Sequence, residues 1–244
     1  MRIGILANSL PAALPIYEEV RQVAGSEIFV LLLPATNQVN YRSLLRHAAR
    51  FLLKPGRVRS LQLSWKRAVI PLRKSLQDAE TITRLRALQL DVGLHKSGTI
   101  YRRETIESFR LGILNAHIGI LPKYRGRSVM EWSLLQGDPT GISVFFIDEG
   151  IDTGERIVFS ETVDVSRCQS LDEAKQYLFD QDARMYRRAI ELLAGPNPEF
   201  QINDGSGHRY YVMSKLFQGV AEQCLVAQTS VCEDHRKNQL EDTD

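Results

Sequence analysis

RIGILA at residues 2–7 and EIFVLLL at residues 27–33 are two short, almost wholly apolar segments near the start of the chain. Runs of this kind are typical of strands that are buried on both faces of a parallel sheet. Between them we predict a helix from Pro15 to Val23, because proline suits a first helical turn. Strand, helix and strand in this order form a βαβ unit. The sequence therefore predicts an α/β fold with a central, mostly parallel sheet flanked by helices.

The rest of the chain continues this alternation. Helices are predicted over 79–88, 103–109, 128–135 and 170–193, mostly helical structure over 41–76, and strands over 90–94, 111–118, 141–147, 156–163 and 208–213. Ser128 and Ser170 are expected to cap the helices that they begin, and Glu173 completes a capping box with Ser170. We predict one domain over 1–196 and a short extension over 197–244. The polar tail from about residue 228 is expected to be disordered.

The composition favours no particular class of partner. Of the 244 residues, 43% are hydrophobic and 25% charged, and the net charge is +2, all ordinary for a globular protein. The cysteines, Cys168, Cys224 and Cys232, form no CxxC pair, so neither a disulfide framework nor a zinc site is expected. The simplest inference is a reducing, cytoplasmic compartment. No segment approaches the roughly 20 apolar residues of a membrane helix, so no membrane association is expected.

The charge is unevenly distributed along the chain. No acidic residue occurs from Ile28 to Gln77, whereas arginines and lysines recur from Arg42 to Lys74. This basic 42–74 stretch is suited to attract phosphate, nucleic acid or an anionic cofactor tail. The alternative is a solvated helical face, because apolar residues recur between the charges with roughly helical spacing. A nucleic-acid-binding module is therefore the non-enzymatic hypothesis for this chain.

Two polar residues interrupt LGILNAHI at residues 111–118, the most strand-like segment near the middle of the chain. Residues two apart on a strand face the same side, so Asn115 and His117 are expected to point the same way. They lie where a strand enters a loop, a place at which open α/β sheets bind ligands. An amide beside an imidazole can hold a developing oxyanion, which suits acyl or formyl transfer. Taken alone, such a pair is also typical of a hydrogen-bonded strand edge.

A second polar motif, DEGIDTG at residues 148–154, follows another predicted strand. Its glycines permit tight backbone turns. If the two strands are neighbours, the carboxylate of Asp152 can meet the Asn115–His117 pair, favour the charged imidazole and hold a water that accepts a proton. Taken alone, the motif also fits an ordinary hairpin turn.

Three motifs together closely resemble the folate-dependent formyltransferases: NAH at 115–117, LPKYRG at 121–126 and DEGIDTG at 148–154. That family includes the glycinamide ribonucleotide, methionyl-tRNA and sugar-nucleotide amine formyltransferases. The resemblance implies a Rossmann-like formyltransferase fold, with the catalytic domain in residues 1–196. It also implies that Asn115 hydrogen-bonds the formyl oxygen, that cationic His117 stabilises the oxyanion of a tetrahedral intermediate, and that Asp152 tunes His117 and positions a water.

The resemblance also implies where the two substrates bind. The formyl donor is 10-formyltetrahydrofolate, and no metal is needed. Donor contacts are expected in the loop that begins near His95 and at the second motif, and acceptor contacts in the LPKYRG loop. For Lys123 and Arg125, the folate glutamate tail and a solvent-facing loop are the alternatives. The expected donor residues are His95, Ser97, Gly98, Asp148 and Gly150, and the expected acceptor residues are Lys123, Tyr124, Arg125 and Gly126. The donor loop is more polar here than is usual in the family.

The acceptor is expected to be a small primary amine, and we favour an amino sugar nucleotide. Trp132, which follows the LPKYRG motif, fits the tRNA and sugar-amine branches. The residues after Leu193 are too few for the C-terminal barrel of methionyl-tRNA enzymes. The first loop, Asn8 to Pro11, lacks the glycine of glycinamide ribonucleotide enzymes. Both of these acceptors stay open.

Hydrolysis of the donor is the other enzymatic alternative. Family members with that activity carry an extra N-terminal domain, whereas the first strand here begins at Arg2. Nucleic acid is not the partner that we favour, because binding it would leave Asn115, His117 and Asp152 unexplained. Whether the chain forms a homodimer is left open.

Overall fold

A computed structural model describes residues 1–34 and 68–227 of the chain. The strands are β1 (Arg2–Ala7), β2 (Glu27–Leu32), β3 (Val69–Pro71), β4 (Val92–Lys96), β5 (Gly112–His117), β6 (Tyr124–Gly126), β7 (Gly141–Phe146), β8 (Arg156–Thr162), β9 (Gln201–Ile202) and β10 (His208–Tyr210). The helices are α1 (Leu10–Val20), α2 (Ala79–Ala87), α3 (Arg103–Ile106), α4 (Val129–Leu135), α5 (Leu171–Asp180), α6 (Asp182–Leu193) and α7 (215–227).

The main sheet has eight strands, hydrogen-bonded in the order β3-β2-β1-β4-β5-β7-β8-β9. The neighbouring pairs β3–β2, β2–β1, β1–β4 and β4–β5 are parallel, and β8 is antiparallel to both β7 and β9. A second sheet consists of β6 and β10, which are also parallel. The predicted α/β fold with a mostly parallel sheet flanked by helices is confirmed.

The chain divides into two compact units. Unit 1 comprises residues 1–115, 146–149 and 183–198. Its strands β1 and β2 are buried as the apolar runs predict, with Ile5 opposite Val30 in the register and both fully buried. The core of this unit also takes in Leu85 from α2 and Phe109 from the segment before β5. Burial of such side chains is the main favourable contribution to folding.

Two predictions in unit 1 are wrong. Helix α1 begins at Leu10 rather than Pro15, because the Ser9 hydroxyl caps it by accepting the Ala12 N–H at 3.4 Å. Pro15 therefore lies inside the helix. Residues 69–71 form strand β3, which pairs with β2, instead of the predicted helix. Residues 41–67 of that prediction, with most of the basic stretch, lie outside the described residues.

Unit 2 comprises residues 116–145, 150–182 and those from 199 onward. Leu121, Phe145 and Ile157 form its small apolar cluster. Ser143, fully buried on β7, accepts the Leu121 N–H at 2.9 Å and lies 2.8 Å from the Gly119 carbonyl oxygen. These bonds attach the loop after β5 to β7 and so fix the backbone that carries the LPKYRG motif.

The helix caps follow the predictions only in part. Ser170 accepts the Glu173 N–H at 3.2 Å, and the Glu173 carboxylate accepts the Gln169 N–H at 2.8 Å, so the expected cap of α5 is confirmed. The helix that we predicted to continue to Leu193 is two helices, α5 and α6. Ser128 makes no side-chain cap, because its hydroxyl accepts the Met213 N–H instead. The predicted tail from residue 228 lies outside the described residues.

Candidate functional site

His117 is the last residue of β5, and its side chain is 7% exposed. Its Nε2 lies 2.9 Å from the backbone carbonyl oxygen of Tyr124. Because a carbonyl oxygen only accepts hydrogen bonds, Nε2 carries the proton and donates it. Phe145 contacts the ring edge-on at a centroid distance of 6.4 Å. The imidazole is therefore fixed in orientation and largely screened from water.

Asp152 lies on the other side of the His117 ring. Its Oδ2 is 3.6 Å from His117 Nδ1 and accepts the Gly126 N–H at 2.9 Å. The two ring nitrogens of His117 thus face two acceptors, one carbonyl and one carboxylate. The predicted meeting of residues 117 and 152 is present in the structure.

Strand β6 supplies the backbone groups that hold both side chains. The Tyr124 carbonyl binds His117, and the Gly126 N–H binds Asp152. Strand β10 in turn pairs with β6, placing Tyr210 opposite Gly126. Gly126 has φ +102, and a Cβ there would lie 2.2 Å from the Tyr210 carbonyl oxygen. Only glycine fits this position, because it combines a left-handed φ with a close backbone contact.

The Lys123 and Tyr124 side chains, both expected to contact the acceptor, bind Asp138. Lys123 Nζ lies 2.5 Å from an Asp138 carboxylate oxygen, and this contact holds the pKa of Asp138 below its usual value. The Tyr124 hydroxyl bonds to the same carboxylate and lies 2.8 Å from Gln136 Oε1. Burial and the bond to Asp138 raise the pKa of Tyr124. The Tyr124 side chain is 1% exposed, so it packs the loop, and its backbone carbonyl is the group that reaches the site.

Arg125 also has a partner within unit 2. Its Nη2 donates to the Gly207 carbonyl oxygen at 2.6 Å, and its Nε is buried with no partner among the described residues. Acceptor binding by Lys123, Tyr124, Arg125 and Gly126 stays a prediction. The link from Arg125 to the segment before β10 was not foreseen from the sequence.

Two predicted donor residues of unit 1, His95 and Ser97, form a polar cluster with Tyr101 at the end of β4. His95 Nδ1 lies 2.7 Å from the Tyr101 hydroxyl, which is 3.2 Å from Ser97 Oγ. Tyr186 donates to the His95 carbonyl oxygen at 2.6 Å. Burial, with a smaller effect of Lys96, lowers the pKa of His95 to about 4, so its ring is neutral near pH 7. His95 belongs to the strand rather than to the loop in which it was predicted.

The remaining predicted residues carry fewer described contacts. Asn115 is half-buried on β5, two residues before His117. Gly98, Asp148 and Gly150 are exposed, and a Cβ at Gly98 would meet nothing within 4 Å. Their roles stay predictions. Within residues 1–34 and 68–227, no group of three histidine, cysteine or acidic side chains could hold a metal ion.

A family model described as "Formyl transferase" matches residues 29–190, well over half of the chain. The chain belongs to this formyl transferase family. The resemblance drawn from NAH, LPKYRG and DEGIDTG is thereby confirmed, and all three motifs lie within the matched residues. In the described part of this family member, no helix has both the length and the apolar character needed to cross a membrane.

Curated relatives in the family include methionyl-tRNA formyltransferases. The protein of Clostridioides difficile (strain 630) is 28% identical over 136 residues, which are 55% of this chain and 44% of that protein. The protein of Prochlorococcus marinus (strain AS9601) is 31% identical over 114 residues, 46% of this chain and 34% of that protein. The chain thus spans less than half the length of these relatives.

Solved structures with a similar fold include enzymes named for other acceptors. A sugar N-formyltransferase from Shewanella sp FDAARGOS_354 has a TM-score of 0.62 at 16% identity, covering 93% of this chain and 88% of that one. Glycinamide ribonucleotide transformylase 1 from Symbiobacterium toebii has a TM-score of 0.55 at 18% identity, covering 84% and 94%. At these identities the likeness shows the fold alone, and it confirms the expected Rossmann-like formyltransferase fold.

Proposed function

We propose that this chain transfers a formyl group from 10-formyltetrahydrofolate to a primary amine. The observation that carries the proposal is the buried pair in which His117 Nδ1 lies 3.6 Å from Asp152 Oδ2. A cationic imidazole fixed in a water-poor site suits a reaction in which a carbonyl oxygen briefly becomes negative. Membership of the formyl transferase family supports the same class of reaction.

The proposed chemistry proceeds through a tetrahedral intermediate. The amine nitrogen bonds to the formyl carbon, and an electron pair of the C=O bond moves onto the oxygen. The positive charge of His117 stabilises this oxygen, and Asn115 donates a hydrogen bond to it. Asp152 holds a water that takes the proton from the amine nitrogen. The electron pair on the oxygen then re-forms the C=O bond, the bond between the formyl carbon and its folate nitrogen breaks, and that nitrogen takes up the proton that the water received.

Burial increases the effect of the charge on His117. The ring is 7% exposed, so competing water is scarce and electrostatic interactions are stronger than in bulk solvent. The Tyr124 carbonyl and Asp152 hold the ring before a substrate arrives. The Asp152 side chain is 12% exposed, so it is also largely buried.

The donor contacts proposed for His95, Ser97 and Gly98 rest on their place in the fold. They lie at or just after the carboxyl end of β4, where open α/β sheets bind ligands. A neutral His95 offers Nε2 to a ligand, because Nδ1 is engaged by Tyr101. Asp148 and Gly150 are exposed after β7, and donor contacts are proposed for them as well.

We propose an amino sugar nucleotide as the acceptor. Support comes from LPKYRG followed by Trp132, and from a fold shared over 93% of the chain with a sugar N-formyltransferase. A further solved structure, PseJ from Anoxybacillus kamchatkensis, was determined with UDP-4,6-dideoxy-4-formamido-L-AltNAc and tetrahydrofolate, and has a TM-score of 0.53 at 17% identity, covering 94% of this chain and 100% of that one. Glycinamide ribonucleotide and methionyl-tRNA are the competing acceptors.

The test is a turnover assay with 10-formyltetrahydrofolate and separate acceptors: a set of amino sugar nucleotides, glycinamide ribonucleotide and methionyl-tRNA. Tetrahydrofolate release is followed by absorbance, and mass spectrometry detects the formylated product. Release that depends on an amino sugar nucleotide is the expected result. Release with another acceptor refutes the proposed substrate but not the reaction, release without any amine indicates a hydrolase, and no release under any condition refutes formyl transfer.

A further inference from the structure

Asp152 has a backbone conformation that needs support. Its φ of 53 lies in the left-handed region, which residues other than glycine rarely adopt. From this conformation its carboxylate reaches both His117 Nδ1 and the Gly126 N–H. A rotation of the turn would move the carboxylate away from both partners. The contacts made by the Asp152 backbone therefore determine whether the pair with His117 exists.

Asn203 makes those contacts. It lies between β9 and β10, is 4% exposed, and donates from Nδ2 to the carbonyl oxygens of Asp152 at 3.1 Å and Gly154 at 3.2 Å. Because both partners are carbonyls, the NH₂ end of the amide must face the turn. The Asn203 backbone N–H donates to the Glu155 carbonyl oxygen at 2.8 Å. One residue thus binds three carbonyls of the four-residue turn that begins at Asp152.

We propose that Asn203 is a positioning residue that holds the Asp152 turn so that its carboxylate faces His117. The catalytic consequence rests on the proposed formyl transfer, whereas the geometric claim does not. Removing the amide donors leaves two backbone carbonyls without their partner in a buried place, which favours rotation of the turn. Asn203 touches no reacting atom in this account and acts only through Asp152.

The segment that carries Asn203 also supports the other half of the site. Strand β10 begins five residues later and pairs with β6, whose Tyr124 carbonyl and Gly126 N–H bind His117 and Asp152. The segment after Pro196, which we expected to be an extension of the catalytic domain, thus contacts the site residues themselves. Within this segment, the Asn203 side chain bonds directly to the Asp152 backbone.

The first experiment compares Asn203→Leu, which keeps the approximate size but loses both donors, with Thr140→Val. Thr140 is a matched control, because it is 5% exposed and donates to the Val163 carbonyl within the same unit. Asn203→Leu is expected to lower kcat on the order of 10²-fold with little change in KM for the amine. In an Asp152→Asn background it should have little further effect, because the carboxylate that it positions is gone.

The second readout does not need turnover. NMR of the full chain follows the Gly126 amide proton and the ring ¹⁵N shifts of His117, which should change in Asn203→Leu in the same direction as in Asp152→Asn. These shifts test the geometry even if the wild-type chain transfers no formyl group. Folded Asn203→Leu with unchanged Gly126 and His117 signals, or with equal losses of kcat in both backgrounds, overturns the proposal. If Asn203→Leu fails to fold, Asn203→Ser is measured in its place by the same criteria.

Discussion

A Cβ atom added to Gly207 would lie 1.4 Å from the carbonyl oxygen of Pro122. Gly207 directly precedes β10, and Pro122 belongs to the LPKYRG loop that leads into β6. The two backbones are in direct contact at this point, with no room for a side chain. The Gly207 carbonyl also accepts a bond from Arg125 Nη2 at 2.6 Å. The pairing of β6 with β10, and with it the placement of His117 and Asp152, depends on this glycine.

Gly207→Ala is therefore predicted to lower the free energy of unfolding by about 1–3 kcal/mol, because the added methyl group forces the two segments apart. Urea unfolding measures the change. Gly219→Ala is the control, since Gly219 lies in α7 and a Cβ there meets nothing within 4 Å. That variant should keep or gain stability, by up to about 1 kcal/mol. Equal effects of the two substitutions would contradict the close contact with Pro122.

His95 is predicted to make the folded chain less stable in mild acid. Its pKa is about 4 in the fold and 6.5 in the absence of burial. Between these pH values the unfolded chain binds a proton that the folded chain does not, so stability falls as pH falls from 6.5 towards 4. The complete shift in the pKa of His95 corresponds to a loss of unfolding free energy on the order of 3 kcal/mol.

Urea unfolding of His95→Gln at several pH values checks this prediction. The variant should lose less stability than the wild type between pH 6.5 and 4, since glutamine does not titrate. Asp91 and Asp138 have pKa values held below 3.8. The stability that they contribute is therefore lost below the pH range in which His95 titrates, and it does not hide the effect of His95. Parallel curves for the two proteins over this range would show that His95 is not the group responsible.

Substitutions at Glu131 and at Lys175 are predicted to lower the free energy of unfolding by different amounts. Lys175 Nζ lies 2.5 Å from Glu131 Oε1, but Glu131 is 1% exposed whereas the Lys175 side chain is 35% exposed. Lys175→Met leaves a buried carboxylate without its cation, at a cost of about 3–5 kcal/mol. Glu131→Gln leaves a lysine that can reach water and should cost about 1–2 kcal/mol. Thermal or urea unfolding of both variants is the measurement, and equal costs would rule out this account of the pair.

The strands and the central pair could be predicted from the sequence because their determinants are local. Apolar runs such as RIGILA bury both faces of a parallel strand, and β1 is found where that pattern places it. His117 and Asp152 belong to two motifs whose combination is specific to a family. Their side chains are brought within 3.6 Å by strands that follow the predicted boundaries closely.

The predicted boundaries of helices and strands were wrong where two features favoured different structures for the same residues. Ser9 and Pro15 are both acceptable starts for a helix. Helix α1 begins after Ser9, because the Ser9 hydroxyl accepts the Ala12 N–H and so caps the helix. Residues 69–71 sit in a basic stretch with helical spacing, yet β2 offers them an open edge with which to pair. Pairing partners distant along the chain are not visible in local periodicity, so the sequence alone did not reveal β3.

The parts of the site that were missed are mostly backbone groups. Every residue has a carbonyl and almost every residue an N–H, so nothing in the sequence marks those of Tyr124 and Gly126. Asn203 is a single amide in a polar loop, 51 residues after Asp152, and no repeated spacing connects the two. The parallel pairing of β10 with β6 that brings this segment to the site became visible only in the fold.

The most direct test of the central claim is amine-dependent release of tetrahydrofolate by His117→Gln, with Ser166→Ala as the control. Ser166 is a buried polar residue of the same unit that has no part in the proposed chemistry. We predict that His117→Gln lowers kcat by about 10²–10⁴-fold while the variant stays folded, and that Ser166→Ala keeps wild-type turnover. Wild-type turnover by folded His117→Gln would contradict the account.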